Sequence, residues 1–381
     1  MKKLLPEATI ICAILLVISY GFAQTWTQTT QNPPLTWEEI SCSADGRVVM
    51  AVDSAELPII SVDSGNTWTT NITALFAYNS VASSADGTKL FGSSYEGSGF
   101  HFYASADSGN TWTQKHGTAV WHVAASSADG TKLFAIGDNT TIWLSTNSGS
   151  NWQMSGAPIK SWTSLASSAD GTKLIGCGSY QIYISTDSGK NWNWISNTIY
   201  EDSVATSSDG RVLLATGIGG TYVSTNFGSS WATSPIGGKS VASSADGKRL
   251  IIAGLSPPFY TSVDSYTSSD SGTTWVTNNA QSGWIRVASS ADGCRLFATG
   301  SKGGIWVGLI NPSPQLNLLL SNTNLTFSWI VPSSKFVLQE SSDLVSWSNV
   351  TNTPTLNLTN LNDELTLSSS NSSGFYRLIS Q

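Results

Sequence analysis

Residues 123–137 read VAASSADGTKLFAIG, and the fold follows from how that stretch must turn. Small and apolar residues lead into Asp129-Gly130, where glycine tolerates positive φ, and Lys132-Leu133-Phe134-Ala135 leads out. The stretch predicts a tight hairpin between two short strands. Beyond it, Thr141-Ile142-Trp143-Leu144 predicts a third strand and, after a turn, Asn151-Trp152-Gln153-Met154 a fourth. SADG or a near copy recurs with its aspartate at Asp45, Asp86, Asp129, Asp170, Asp209, Asp246 and Asp292, which makes seven units. Spacings of 37 to 46 residues suit four short strands plus turns, the size of one blade of a β-propeller. The expectation is an all-β, seven-bladed β-propeller.

A second signature, SxDxGxxW, falls in the turn between the third and fourth strands. It reads Ser61-Asp63-Gly65-Trp68, Ser105-Asp107-Gly109-Trp112, Ser185-Asp187-Gly189-Trp192 and Ser268-Asp270-Gly272-Trp275, with asparagine in Ser145-Asn147-Gly149-Trp152 and Ser224-Asn226-Gly228-Trp231. A short Asp or Asn side chain can accept hydrogen bonds from nearby backbone N–H groups, glycine permits a left-handed turn, and tryptophan buries a large apolar area beneath it. These six copies in register resemble the Asp box of the BNR, or sialidase-type, repeat. With the SSADG units, residues 25 to 308 look most like bacterial secreted propellers of that family, related in fold to photosystem II assembly factor-like and sortilin-type propellers. The resemblance implies a fold and leaves function to the site.

There are seven SADG hairpins and six Asp boxes, because the last unit stops at Gly304-Ile305-Trp306-Val307-Gly308 without a fourth strand. Thr25-Trp26-Thr27-Gln28 copies Thr111-Trp112-Thr113-Gln114, the start of a fourth strand elsewhere. Residues 25–30 are therefore expected to complete the last blade, with Trp26 beside 304–308.

The chain has 381 residues, only 11% of them charged, and a net charge of −7. That is room for one large repeat domain and a small module, and the thin supply of Lys and Arg excludes a nucleic-acid stripe. Lys2 and Lys3, an apolar run over Ile10–Tyr20 and small residues at Gly21 and Ala23 predict a signal peptide over 1–23. The expected product is secreted, periplasmic or on the cell surface, monomeric, with no membrane span after cleavage. Cys42, Cys177 and Cys294 fall in different repeat units, which argues against a disulfide framework, and His101, His116 and His122 make no close ligand pair with a cysteine. No metal and no cofactor is expected. The propeller is expected over 24–310, a proline-punctuated linker over 311–314, and a β-sandwich-like module of the fibronectin type III sort over 315–381, with strands near 325–330, 336–339 and 374–378.

The Asp-box resemblance implies a glycoside hydrolase as one alternative, of the sialidase or xyloglucanase-like type. A sialidase needs three converging arginines, and of Arg47, Arg211, Arg249, Arg286 and Arg295 four follow the DG turn as solvated turn charges. A glucanase needs two carboxylates across a cleft. Glu38, Glu39, Glu96, Glu201 and Asp202 lie outside both repeated turns, but no residue is assigned a catalytic role. The leading reading is non-enzymatic: a binding or scaffold propeller taking a glycan or extracellular protein on the face opposite the Asp boxes. Eight residues before each SADG aspartate stand Trp37, Tyr78, Trp121, Trp162, Glu201, Gly238 and Trp284, five of them aromatic. Near the channel mouth, exposed rings would offer flat faces to sugars or apolar peptide side chains; buried, they would pack between blades. Glu38, His122, Asp202 and Arg286 vary between blades, as ligand-specific groups would. The loop Leu255–Tyr260 lengthens one connection on the same face.

Overall fold

The computed structural model describes residues 25–29, 37–53, 57–70, 78–96, 99–115, 121–137, 140–197, 201–217, 219–254, 265–278, 283–300, 304–310, 315–321, 324–332, 336–368 and 374–380. Of 78–79, 95–96, 99–100, 121–124, 196–197, 201–202 and 380 it describes the backbone. The expected signal peptide over 1–23, the expected 311–314 linker and the 255–260 loop lie outside the described residues.

Among the described residues, all regular secondary structure is strand, and seven four-stranded antiparallel sheets lie between Thr25 and Leu309. Six keep chain order, as the first does with Trp37–Cys42, Val49–Asp53, Ile59–Ser61 and Thr69–Thr70. The seventh runs Thr25–Gln28, Ile305–Leu309, Arg295–Gly300, Trp284–Ser289, so the N-terminal strand joins the last sheet as its outermost member. Trp26 lies opposite Gly308 in that ladder, and its ring packs on Trp284 with centroids 4.1 Å apart. The expected closure is present.

The core lies between sheets rather than within them. Trp37, Ile40, Val49 and Trp68 of the first sheet pack with Phe297 and Ile305 of the seventh, and Met50, Val52 and Ile60 pack with Val81, Leu90 and Tyr103 of the second. The same pairing repeats around to the sixth and seventh sheets. Covered on both faces, the second strands read as continuous apolar or small runs, and Val49–Asp53, Leu133–Gly137, Leu174–Gly178 and Leu213–Gly217 are buried throughout. Each large side chain so buried contributes roughly 1.5–3 kcal/mol.

A backbone circle joins the sheets at the SADG turns. Ala44 N–H donates to the Ala85 carbonyl, Ala85 to Ala128, Ala128 to Ala169, Ala169 to Ser208, Ser208 to Ala245, Ala245 to Ala291, and Ala291 back to Ala44, all at 2.7–2.8 Å. Cations three residues after the turn aspartates reinforce it: Lys89, Lys132 and Lys173 reach the carbonyls of Asp129, Asp170 and Asp209 at 2.7–2.8 Å, and Arg249 reaches that of Asp292 at 2.9 Å. The reading of such residues as solvated turn charges is corrected by these bonds, which tie each hairpin to the next.

The Asp box works through its serine as much as its aspartate. Ser61 Oγ donates to Asp63 Oδ1 and accepts from Gly65 N–H, while Thr67 N–H and hydroxyl both donate to the Asp63 carboxylate. Gly65 has φ +83°, and a Cβ there would stand 2.9 Å from Val307 of the neighbouring sheet, so the position needs glycine on two counts. Ser64 N–H donates to the Arg47 carbonyl, and the corresponding bond recurs from Ser108 to Thr88, Ser148 to Thr131 and Ser188 to Thr172. Both repeated turns therefore lie on one face of the ring.

Residues 315–380 form a four-stranded sheet, ordered Asn317–Leu320, Asn324–Ile330, Asn362–Ser368, Thr355–Asn357, and a three-stranded sheet, Ser348–Asn349, Phe336–Ser341, Phe375–Ser380. Phe327, Trp329, Leu338 and Leu365 form their shared core. The pair of sheets packs on the Asp-box face, where Ile330, Val331, Leu356 and Leu361 meet Ala44, Ala85, Ala245 and Ala291.

Candidate functional site

The innermost strands, among them Trp37–Cys42, Ser164–Ser167, Glu201–Thr206 and Ser240–Ser243, surround a cavity of about 500 Å³ to which all seven sheets contribute. These strands run toward the SADG turns, so the cavity lies toward the opposite face. At the turn end the channel narrows to a space of about 170 Å³ bordered by the SADG serines and alanines and by Leu361 of the C-terminal sheets. Leu361 is held with φ +56° in a turn in which its N–H donates to Asn357 and its carbonyl accepts from Val331 N–H, both at 2.9 Å. The central cavity is thus a cup with the C-terminal sheets lying against its turn end.

The wall follows from the residue six before each SADG aspartate. At three of the serines there the hydroxyl bridges to the next sheet: Ser164 Oγ accepts from Val204 N–H at 3.2 Å, Ser203 from Val241 at 3.3 Å and Ser240 from Val287 at 3.1 Å. Between the seventh and first sheets the pattern breaks, because the position is Arg286 on one side and Glu39 on the other. Arg286 has no acceptor to offer, and Ile40 N–H turns instead to Glu39 Oε1 at 3.3 Å. Arg286 Nε stands 3.8 Å from Glu39 Oε2, with both side chains about a third exposed, at 31% and 30%. Burial pushes the Glu39 carboxyl above its usual value, against the pull of Arg286 and the Ile40 N–H. Glu38 and Lys239 complete the charged side of the cup, while Thr163, Ser80, Ser126 and Ser164 line the remainder.

The repeated aromatic position reads differently in space. Trp37, Trp162 and Trp284 are 2%, 3% and 1% exposed, so the exposed ring of flat faces is not formed at these three. Trp37 sits in the core between the seventh and first sheets, and Trp284 packs on Trp26. Trp162 lies against Tyr183 and Trp192 at 5.5 and 5.6 Å and donates from Nε1 to the Pro158 carbonyl. For Trp37 and Trp284 the ladder breaks register immediately after the aromatic position, between Trp37 and Glu39 and between Trp284 and Arg286, whereas Trp162 precedes its strand. A bulge spoils strict alternation, so residues one and three of the strand need not share a face. Tyr78 and Trp121 begin strands with the same irregularity, but their side chains, and those of His122, Glu201 and Asp202, lie outside the described atoms. Glu201 and Asp202 open an innermost strand, and Glu38 and Glu39 fall inside one. Of the expected binding residues, Glu38 and Arg286 line the cup. Lys239 was not singled out from the sequence, although its place one residue before the recurrent serine was readable there.

Among the described residues no group of three or more His, Cys, Asp or Glu is placed to hold a metal ion. Cys42 and Cys294 are not disulfide-bonded, and burial pushes both thiols up to about 12. Among the described residues no helix is long and apolar enough to cross a membrane.

The fold defines a class, the β-propeller. No family model and no curated protein matches the chain. Among solved structures it is similar to Ycf48 from Cyanidioschyzon merolae, with a TM-score of 0.58 at 15% identity over 74% of this chain and 98% of that one. A second Ycf48 structure, bound to D1 peptide, gives 0.57 at 16% identity over 80% and 98%. The β-propeller domain of Cps50 (Swd1) from Myceliophteria thermophila gives 0.59 at 12% identity over 76% and 100%. At these identities the likeness concerns the fold.

Proposed function

We propose that the chain is an exported, non-enzymatic binding or scaffold protein, a seven-bladed Asp-box propeller with a β-sandwich-like C-terminal module, and that its cup takes a protein ligand as an extended peptide segment. The observation that carries this reading is where the repeat departs from itself. Among the described residues, sheets two to five present mainly small hydroxyl and apolar groups to the cup, whereas Lys239, Arg286, Glu38 and Glu39 cluster on sheets six, seven and one. Charges gathered on one side of a repeating ring are what orienting a ligand requires. That the structural neighbour Ycf48 is bound to D1 peptide favours a peptide over a glycan as the kind of ligand.

A randomised peptide library displayed against the mature protein tests the reading. Selected peptides should lose about tenfold or more in affinity with the charge reversals Lys239→Glu and Glu38→Lys. Peptides indifferent to both substitutions would remove the cup from the binding reading. Turnover of a glycosidic substrate, lost in Glu38→Gln, would replace that reading with the hydrolase alternative.

A further inference from the structure

We propose that the cleft between the Asp-box face and the C-terminal sheets is a second binding site, for a neutral, hydroxyl-rich ligand: a glycan chain. The inference is independent of what the cup binds. The cleft encloses about 560 Å³, somewhat more than the cup. Asp209, Asp246 and Lys248 line it from the ring, and Gln315, Asn317 and Asn362 from the C-terminal sheets.

The argument begins with the turn aspartates. In sheets two to four both carboxylate oxygens are occupied. Oδ1 of Asp86, Asp129 and Asp170 accepts from the SADG serine hydroxyl and from the N–H of the threonine two residues on, and that threonine's hydroxyl also reaches Oδ2 at 2.8–2.9 Å. In sheets five and six that threonine is Arg211 and Lys248. Asp209 and Asp246 keep both bonds to Oδ1, from Ser207 and Arg211 N–H and from Ser244 and Lys248 N–H, but lose the hydroxyl donor to Oδ2. The threonine is also absent after Asp45 and Asp292, where Arg47 and Cys294 stand, so of the four aspartates without it Asp209, Asp246 and Asp292 border the cleft and Asp45 does not.

Facing them, the side-chain amides of Gln315, Asn317 and Asn362 make no hydrogen bond among the described residues, and each carries both a donor and an acceptor. Ile330 and Pro332 add a short aliphatic wall of the kind that suits the C–H face of a pyranose. The charges nearly balance, with Asp209, Asp246 and Asp292 against Lys248 and Arg249, so the cleft has no strong field to select an ion. Acceptors that have lost an internal hydroxyl, opposite amides that both give and take, match the hydrogen-bonding capacity of sugar hydroxyls.

The repeat supplies its own test variant. Arg211→Thr with Lys248→Thr installs the residue that sheets two to four already carry, returning an internal donor to each Oδ2 while keeping the turn. Isothermal titration of the full chain with maltohexaose, cellohexaose, xylohexaose and mannohexaose should show binding of at least one. The double variant should weaken it about tenfold or more with an unchanged or raised thermal midpoint. Asn362→Ala should weaken it as well, which keeps the test open if the double variant folds poorly. Lys239→Glu in the cup should leave it unaltered. The proposal is overturned if none of the four sugars binds in the millimolar range, if the threonine and alanine variants bind as the parent does, or if Lys239→Glu abolishes binding.

Discussion

Trp26 covers Gly308 so closely that a Cβ on the glycine would stand 2.8 Å from the indole ring. The N-terminal strand is therefore seated by shape as well as by its ladder. Gly308→Val should force the ring away and destabilise the protein by about 1–3 kcal/mol, the usual cost of overpacking. Urea unfolding gives the magnitude, and faster proteolytic cleavage near residue 29 would localise the loss to the closing strand. A variant as stable and as protected as the parent would mean the strand is not held by this contact.

Ser164, Ser203 and Ser240 are acceptors for backbone N–H groups of the next sheet. Ser240→Ala removes the acceptor of Val287 N–H at a buried position, and should cost about 1–3 kcal/mol. The same substitution at the exposed Ser150 should cost under about 0.5 kcal/mol. Equal losses at the two sites in thermal denaturation would refute the bridging role.

Acid should act on the Asp boxes. The Thr111 hydroxyl and N–H, then Ser105, hold the Asp107 carboxyl below its usual 3.8; the Asn191 N–H and side chain do the same for Asp187. Each contributes stability that is present above pH 3.8 and lost as pH falls through the lower folded value. Asp107→Asn copies the boxes at Asn147 and Asn226, and should flatten the fall in stability on acidification. Urea midpoints across that pH range would show it.

Glu39 has the opposite sign. Its folded pKa lies above 4.5, so its contribution is present below that pH and declines as pH rises through the folded value. Glu39→Gln keeps an acceptor for Ile40 N–H and removes the titration. Its stability relative to the parent should improve from about pH 4 to about pH 7. A difference constant with pH would show that burial does not govern this carboxyl.

Much of the ring was readable because each blade repeats its own instructions: SADG for one hairpin, SxDxGxxW for the other, and a missing last strand whose copy begins at Thr25. The aromatic position shows where reading stopped. Trp37, Trp162 and Trp284 were legible as a recurrent feature, but the irregular strand pairing beside Trp37 and Trp284, and the place of Trp162 ahead of its strand, leave no mark in composition. Lys89 and Arg249 were likewise visible as turn residues, while their partners belong to the neighbouring blade some 40 positions on, beyond any local pattern. In the C-terminal module, Asn317–Leu320 and Asn362–Ser368 escaped notice, since without a repeat a single short strand has little to distinguish it.

The backbone circle from Ala44 through Ala291 and back makes as many joints as there are sheets. A linear array has one fewer, and its terminal units fray with only one neighbour to hold them. Here no unit is terminal. Losing any single joint turns the ring into an open arc with two exposed ends, so the sheets should melt in one transition rather than peel away in sequence.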